Sequence, residues 1–205
     1  MAQVIAPQSE DRIFTAANVF TAIRLLCVPL FVVLLARGHH RGWFPAAVLL
    51  AALGATDWVD GQLARRLHQV TRLGRVLDPT ADRILLGTAT IGILAVGAVP
   101  WPVALVALVR EGLVAAAAVC LTLAGAGRID VHLAGKAGTF GLMCALPLFL
   151  AGHSDVGWHD DATVAAWCSA GVGLVMGWIA VGTYVPLARA ALRQRRSPAT
   201  EEAPA

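Results

Sequence analysis

Six apolar runs, at about 19–36, 43–63, 77–98, 101–124, 137–152 and 163–187, take up most of this 205-residue chain, each bounded by Gly, Pro or charge. Roughly 20 apolar residues cross a bilayer as one helix, so the pattern predicts six transmembrane helices with short loops and no separate soluble domain. The composition agrees: 58% of residues are hydrophobic and 14% charged, against roughly 25% charged in soluble domains. A water-soluble globular fold is excluded, and so is disorder for the bulk of the chain. The expected fold is therefore an all-α, polytopic membrane domain at 18–188. A short N-terminal segment at 1–17 precedes it, and a basic, then disordered tail at 189–205 follows.

Sixteen basic residues, fifteen Arg and the single Lys136, face thirteen acidic ones, a net charge of +3 that gives no basis for nucleic-acid binding. Their positions say more. Arg65, Arg66, Arg72 and Arg75 lie between runs two and three, Arg128 and Lys136 between four and five, and Arg189, Arg193, Arg195 and Arg196 after six, with only Arg37 and Arg41 on the other side. The positive-inside rule then puts both termini in the cytoplasm and the Asp155, Asp160, Asp161 loop outside. The first run reads as a span rather than a cleaved leader, because Arg24 lies inside it and Arg37 follows it directly. Asn18, Thr21 and Arg24 follow one another at three-residue steps where that span begins, which suits a helix cap and a cation facing lipid phosphates or a functional role.

Four aspartates flank the loop between runs two and three: Asp57, Asp60, Asp78 and Asp82. Carboxylates at span ends are costly and mark function by default. Positions 57, 60, 61 and 64 form one helical stripe on which two carboxylates alternate with Gly61 and Ala64; positions 74, 78 and 82 form another. On antiparallel neighbours joined by a short loop these stripes can face each other. Pro79 suits the second helix if it lies in the first turn, where N–H groups are unpaired. Converging carboxylates need a cation, and all-oxygen ligands select hard ions such as Mg²⁺, Mn²⁺ or Ca²⁺. Two ions beside Arg65 and small-residue gaps suit a diphosphate and point to phosphoryl transfer. The plainer alternative is a solvated charge network with Arg65, Arg66, Arg72, Arg75 and Arg83.

Asp57, Asp60, Gly61, Ala64, Arg65, Gly74, Asp78 and Asp82 match, without a mismatch, the pattern D-x2-D-G-x2-A-R-x8-G-x3-D-x3-D. On these residues the chain resembles the CDP-alcohol phosphatidyltransferases, and the likeness extends from about Asn18 to residue 150. The resemblance implies a six-helix membrane fold, usually a homodimer, in the cytoplasmic membrane, with two Mg²⁺ or Mn²⁺ ions per site at the cytoplasmic face. It assigns Asp57, Asp60, Asp78 and Asp82 to the metals, Asp82 also to deprotonation of the acceptor hydroxyl, and Gly61, Ala64, Arg65 and Gly74 to the CDP group. It implies attack of an alcohol on the β-phosphorus of CDP-diacylglycerol, with CMP leaving.

Members that use glycerol-3-phosphate typically show Arg-Glu in span four, a later Arg, and G-K-x-K-T before span five. Arg110-Glu111, Gly135-Lys136 and Thr139 are present, but Ala117 to Val119 occupy the region of the later Arg and Gly138 replaces the second Lys. Arg110, Arg128 and Lys136 remain as acceptor-side cations. The departure resembles the cardiolipin-forming members, which take phosphatidylglycerol; that acceptor ranks ahead of glycerol-3-phosphate, with inositol phosphates third.

Other features weigh less. Arg110 and Glu111 also suit an interhelical ion pair. His39, His40, His68, His132, His153 and His159 read as loop residues, and Cys27, Cys120, Cys144 and Cys168 as packing residues without metal-ligand spacing. Gly173-Leu-Val-Met-Gly177 supports close helix packing, either within one protomer or between two. A small transporter is the rival class, but it would spread ionisable groups over several depths, whereas these aspartates gather at one surface.

Overall fold

A computed structural model of the chain describes residues 16–38, 43–67, 74–123 and 133–196, with side chains at 22–38, 43–56, 81–117, 119 and 134–183. These residues form six helices and no strand: α1 (Ala16–Arg37), α2 (Trp43–Leu67), α3 (Gly74–Ala95), α4 (Trp101–Leu123), α5 (Leu133–Gly152) and α6 (His159–Arg196). Each apolar run has become one helix. The largest difference is at the end, where α6 continues through Arg196 rather than stopping near 187. Apolar pattern fails there, but Leu187-Ala-Arg-Ala-Ala-Leu-Arg-Gln-Arg-Arg196 is made of strong helix formers. Helix α3 begins at Gly74, which puts Pro79 past its first turn.

Among the described residues, two helical segments, Ala134–Gly152 and His159–Thr183, are long and apolar enough to cross a membrane, and Trp43–Thr56 is a shorter apolar helix. Outward faces carry large apolar side chains, among them Leu26 and Leu30 on α1, Leu105 and Val109 on α4, and Val164 and Val175 on α6. Water would not tolerate that much exposed hydrocarbon on a monomer. The chain is a membrane protein.

Beneath these faces lies one core. Phe31 and Leu35 of α1, Leu50 and Leu53 of α2, Leu85 and Ile93 of α3, Phe149 and Leu150 of α5 and Ala166 of α6 all belong to it. Arg24 of α1 meets Asp82 of α3, and a Cβ at Gly92 would meet Leu35 at 2.9 Å, so α1 and α3 run parallel. Chain reversal between α3 and α4 uses Gly97, whose φ of 76° is left-handed. Gly97 N donates to Leu94 O and Ala98 N to Ile93 O, the paired bonds that close a helix C-terminus at a glycine.

Helices α5 and α6 pack closest of all. A Cβ on Gly138 would lie 2.6 Å from the Gly177 Cα, and one on Gly141 would lie 2.6 Å from the Gly173 Cα. The order of these contacts makes the helices antiparallel, and backbone rests on backbone with no side chain between. Of the two roles open to Gly173 and Gly177 from sequence, the structure selects packing within one chain. Gly141→Ala is expected to lower unfolding stability in detergent by about 1–3 kcal/mol, the usual cost of overpacking. Gly171→Ala on α6, where an added Cβ meets nothing within 4 Å, should leave the thermal midpoint unchanged or raised.

Candidate active site

Helix α2 is unbroken through Asp57, Asp60, Gly61, Ala64 and Arg65, and α3 through Gly74, Asp78 and Asp82. The two sequence stripes are therefore real helical stripes. On α2 the buried positions Ala46, Leu50 and Leu53 step by four and three residues, and Asp57, Asp60 and Ala64 occupy the next positions of that register. On α3 the buried Leu86 and Thr90 continue the series that begins at Gly74, Asp78 and Asp82. Both motif halves thus extend the core-forming stripes of their helices toward one end of the bundle. The side chains of Asp57, Asp60, Gly61, Ala64, Arg65, Gly74 and Asp78, and the whole of Arg128, lie outside the described residues.

Asp82 is described, and its setting was not legible in the sequence. Arg24 Nη1 of α1 donates to Asp82 Oδ1 at 2.6 Å. The arginine side chain is 3% exposed and the aspartate side chain 31%. Arg24 is therefore not a cation reaching toward lipid phosphates: it turns inward to a carboxylate, because a guanidinium this deep needs one. Its place inside the first apolar run was the available signal.

The second polar cluster sits at the junction of α4, α5 and α6. Arg110 of α4, 2% exposed, donates through Nη1 to the adjacent Glu111 carboxylate and to Thr139 Oγ1 at 3.0 Å, and through Nη2 to Gly135 O at 3.1 Å. Thr139 Oγ1 donates to the same carbonyl at 3.2 Å. The ion pair with Glu111 lies within α4, and the links between helices are the bonds to α5. Arg110 Nε is buried without a hydrogen-bond partner; it passes over Gly177 of α6, where a Cβ would come within 2.8 Å. A side chain at 177 would require Arg110 to shift. Lys136 stands exposed beside this cluster on the first turn of α5.

The sequence is matched by the family model for CDP-alcohol phosphatidyltransferases over residues 14–186. The chain belongs to the CDP-alcohol phosphatidyltransferase family. It is 37% identical over 189 residues to the cardiolipin synthase (CMP-forming) of Streptomyces coelicolor, covering 89% of this chain and 86% of that protein. A Mycobacterium tuberculosis H37Rv protein, provisionally named a cardiolipin synthase, is 36% identical over 159 residues, 78% of this chain and 75% of its own length. The Bacillus subtilis CDP-diacylglycerol–glycerol-3-phosphate 3-phosphatidyltransferase is 28% identical over 180 residues, 80% and 92% of the two chains. The chain is thus an enzyme of phospholipid biosynthesis, a CDP-alcohol phosphatidyltransferase. Family members generally use divalent metal ions. Asp57 and Asp60 of α2 and Asp78 and Asp82 of α3 carry carboxylates, the class of hard oxygen donor that such ions take.

The Arg110 cluster has a measurable energetic signature. Thr139→Val should lower stability by about 1–3 kcal/mol through the buried donor it strands. Arg110→Leu, which leaves Glu111 15% exposed and without its cation, should cost about 3–5 kcal/mol in chemical or thermal unfolding.

Proposed function

We propose that the enzyme transfers the phosphatidyl group of CDP-diacylglycerol to phosphatidylglycerol, forming cardiolipin and releasing CMP. The observation that carries the acceptor assignment is Gly138. It stands where glycerol-3-phosphate users carry their second Lys, and with Gly177 Cα only 2.6 Å from where its Cβ would be, no long cation fits. An acceptor that presents its own small phosphate monoester would meet fewer cations here than in those enzymes. The names of the Streptomyces and Mycobacterium relatives favour the same acceptor. Glycerol-3-phosphate is the second reading, supported by Arg110-Glu111 and by the Bacillus relative.

Asp57, Asp60, Asp78 and Asp82 would hold two divalent ions, Mg²⁺ or Mn²⁺. When bound, such ions draw charge from phosphoryl oxygens and lower the proton affinity of the acceptor hydroxyl. Gly61, Ala64 and Gly74 leave space for the CDP group, and Arg65 offers its guanidinium to the diphosphate. Asp82 accepts the hydroxyl proton as the acceptor oxygen bonds to the β-phosphorus and the bond to CMP breaks. Arg110, Arg128 and Lys136 form the acceptor side, with Lys136 exposed and Arg110 fixed below it.

All six helices would cross the cytoplasmic membrane, with both termini and the active site on the cytoplasmic face, as the arginine-rich loops favour. The active form would be a homodimer that uses a face other than the α5–α6 seam.

In purified protein supplied with CDP-diacylglycerol and Mn²⁺ or Mg²⁺, CMP release is expected with phosphatidylglycerol and not with glycerol-3-phosphate. The reverse result would move the enzyme to the glycerol-3-phosphate branch. Asp82→Asn should slow release by at least about 100-fold, the scale of a lost general base, while the protein remains folded.

A further inference from the structure

Neither the eight-residue signature nor the acceptor-side cations include Arg24. Yet this side chain, buried to 2% of its surface in α1, reaches across to α3 and ends 2.6 Å from a motif carboxylate. Here only the cation is shielded, and Asp82 keeps 31% of its side chain exposed. The carboxylate is gripped by a fixed positive charge on α1 while part of it stays open to solutes. Arg24 is also not positioned by its own loop or tail: it lies mid-helix, on the same element as the core residues Phe31 and Leu35, so its backbone cannot easily give way.

We propose that Arg24 is a positioning residue that acts through Asp82. It fixes the direction of that carboxylate, and as a standing cation it competes with a divalent ion for it. The proposal rests on the reading of Asp82 as a divalent-ion ligand. Like charges a few ångströms apart repel, so Arg24 weakens divalent binding at this position and keeps the ions exchangeable. The orientation it imposes serves proton transfer from the acceptor hydroxyl, which requires the carboxylate within hydrogen-bond reach.

The test is Mn²⁺ binding to the full-length protein in detergent, read from the electron paramagnetic resonance signal of free Mn²⁺. It is run on wild type, Arg24→Gln, Arg24→Lys, Asp82→Asn and the Arg24→Gln/Asp82→Asn double variant, with CMP release measured in parallel. Arg24→Gln is expected to tighten Mn²⁺ about tenfold, the scale of a nearby unit charge removed from a partly exposed site. It should also lower kcat and leave KM for CDP-diacylglycerol unchanged. Arg24→Lys, which keeps the charge but not the planar fork, should bind Mn²⁺ like wild type and still lose kcat. In the Asp82→Asn background, Arg24→Gln should change Mn²⁺ affinity clearly less than it does in the wild-type background, since the competition for that carboxylate is gone and only direct repulsion between the charges remains. Unchanged or weakened Mn²⁺ binding in Arg24→Gln overturns the proposal, as does an equal effect of that substitution with and without Asp82. If Arg24→Gln does not fold, the Lys variant decides: full kcat overturns the positioning role, and lost kcat with native Mn²⁺ affinity supports it. Wild-type protein that binds no Mn²⁺ would overturn the metal reading of Asp82 and this proposal together, whereas wild-type binding that Arg24→Gln leaves untouched would overturn this proposal alone.

Discussion

Charge inside an apolar helical bundle must be matched where it stands, and two buried arginines organise much of this molecule around that requirement. Arg24 is satisfied by a carboxylate from α3. Arg110 is paired with Glu111 on its own helix and bonded to a hydroxyl and a carbonyl on α5, with its Nε left without a partner. Each arrangement fixes helices relative to one another with directional bonds that hydrocarbon packing alone does not supply. Each also lies beside a residue expected to take part in chemistry, Asp82 in one case and Lys136 in the other. The scaffold and the site therefore share the same polar contacts.

The glycine seam between α5 and α6 is the second constraint. Gly138, Gly141, Gly173 and Gly177 let two backbones touch, and such close approach gives dispersion contact that lipid cannot replace. Gly177 serves twice, since it faces Gly138 and also makes room for the Arg110 side chain. A helix pair this close cannot accept a lysine at 138 without shifting backbone.

Much of the architecture was legible because apolar runs of span length leave few options: six runs gave six helices, with limits displaced by a few residues except at Arg196. The helical stripes that carry the motif residues were legible because their spacing follows the helical period, and α2 and α3 are continuous through the two halves of the motif. What stayed hidden depends on contacts between helices distant in sequence. Arg24 and Asp82 are 58 residues apart, and nothing local to either identifies the other. The same holds for Gly138 against Gly177. The pairing of Arg110 with Glu111 was foreseeable from adjacency, while its bonds to Gly135 and Thr139 required the α4–α5 arrangement. His153 bonds to Phe149 O at the end of α5, whereas His159, read as a loop residue, begins α6; Cys27 and Cys144 are half-buried free thiols, and Cys168, read as a packing residue, is exposed.

The proposed function requires the acidic stripes of α2 and α3 to converge into one site for two divalent ions. Electron paramagnetic resonance of Mn²⁺ bound to the full-length protein tests this directly, with wild type compared to Asp57→Asn on α2 and Asp78→Asn on α3. Convergence predicts an exchange-coupled, two-ion spectrum in wild type that either substitution reduces to that of an isolated ion. A wild-type spectrum of isolated ions, or a coupled one that survives both substitutions, would contradict it.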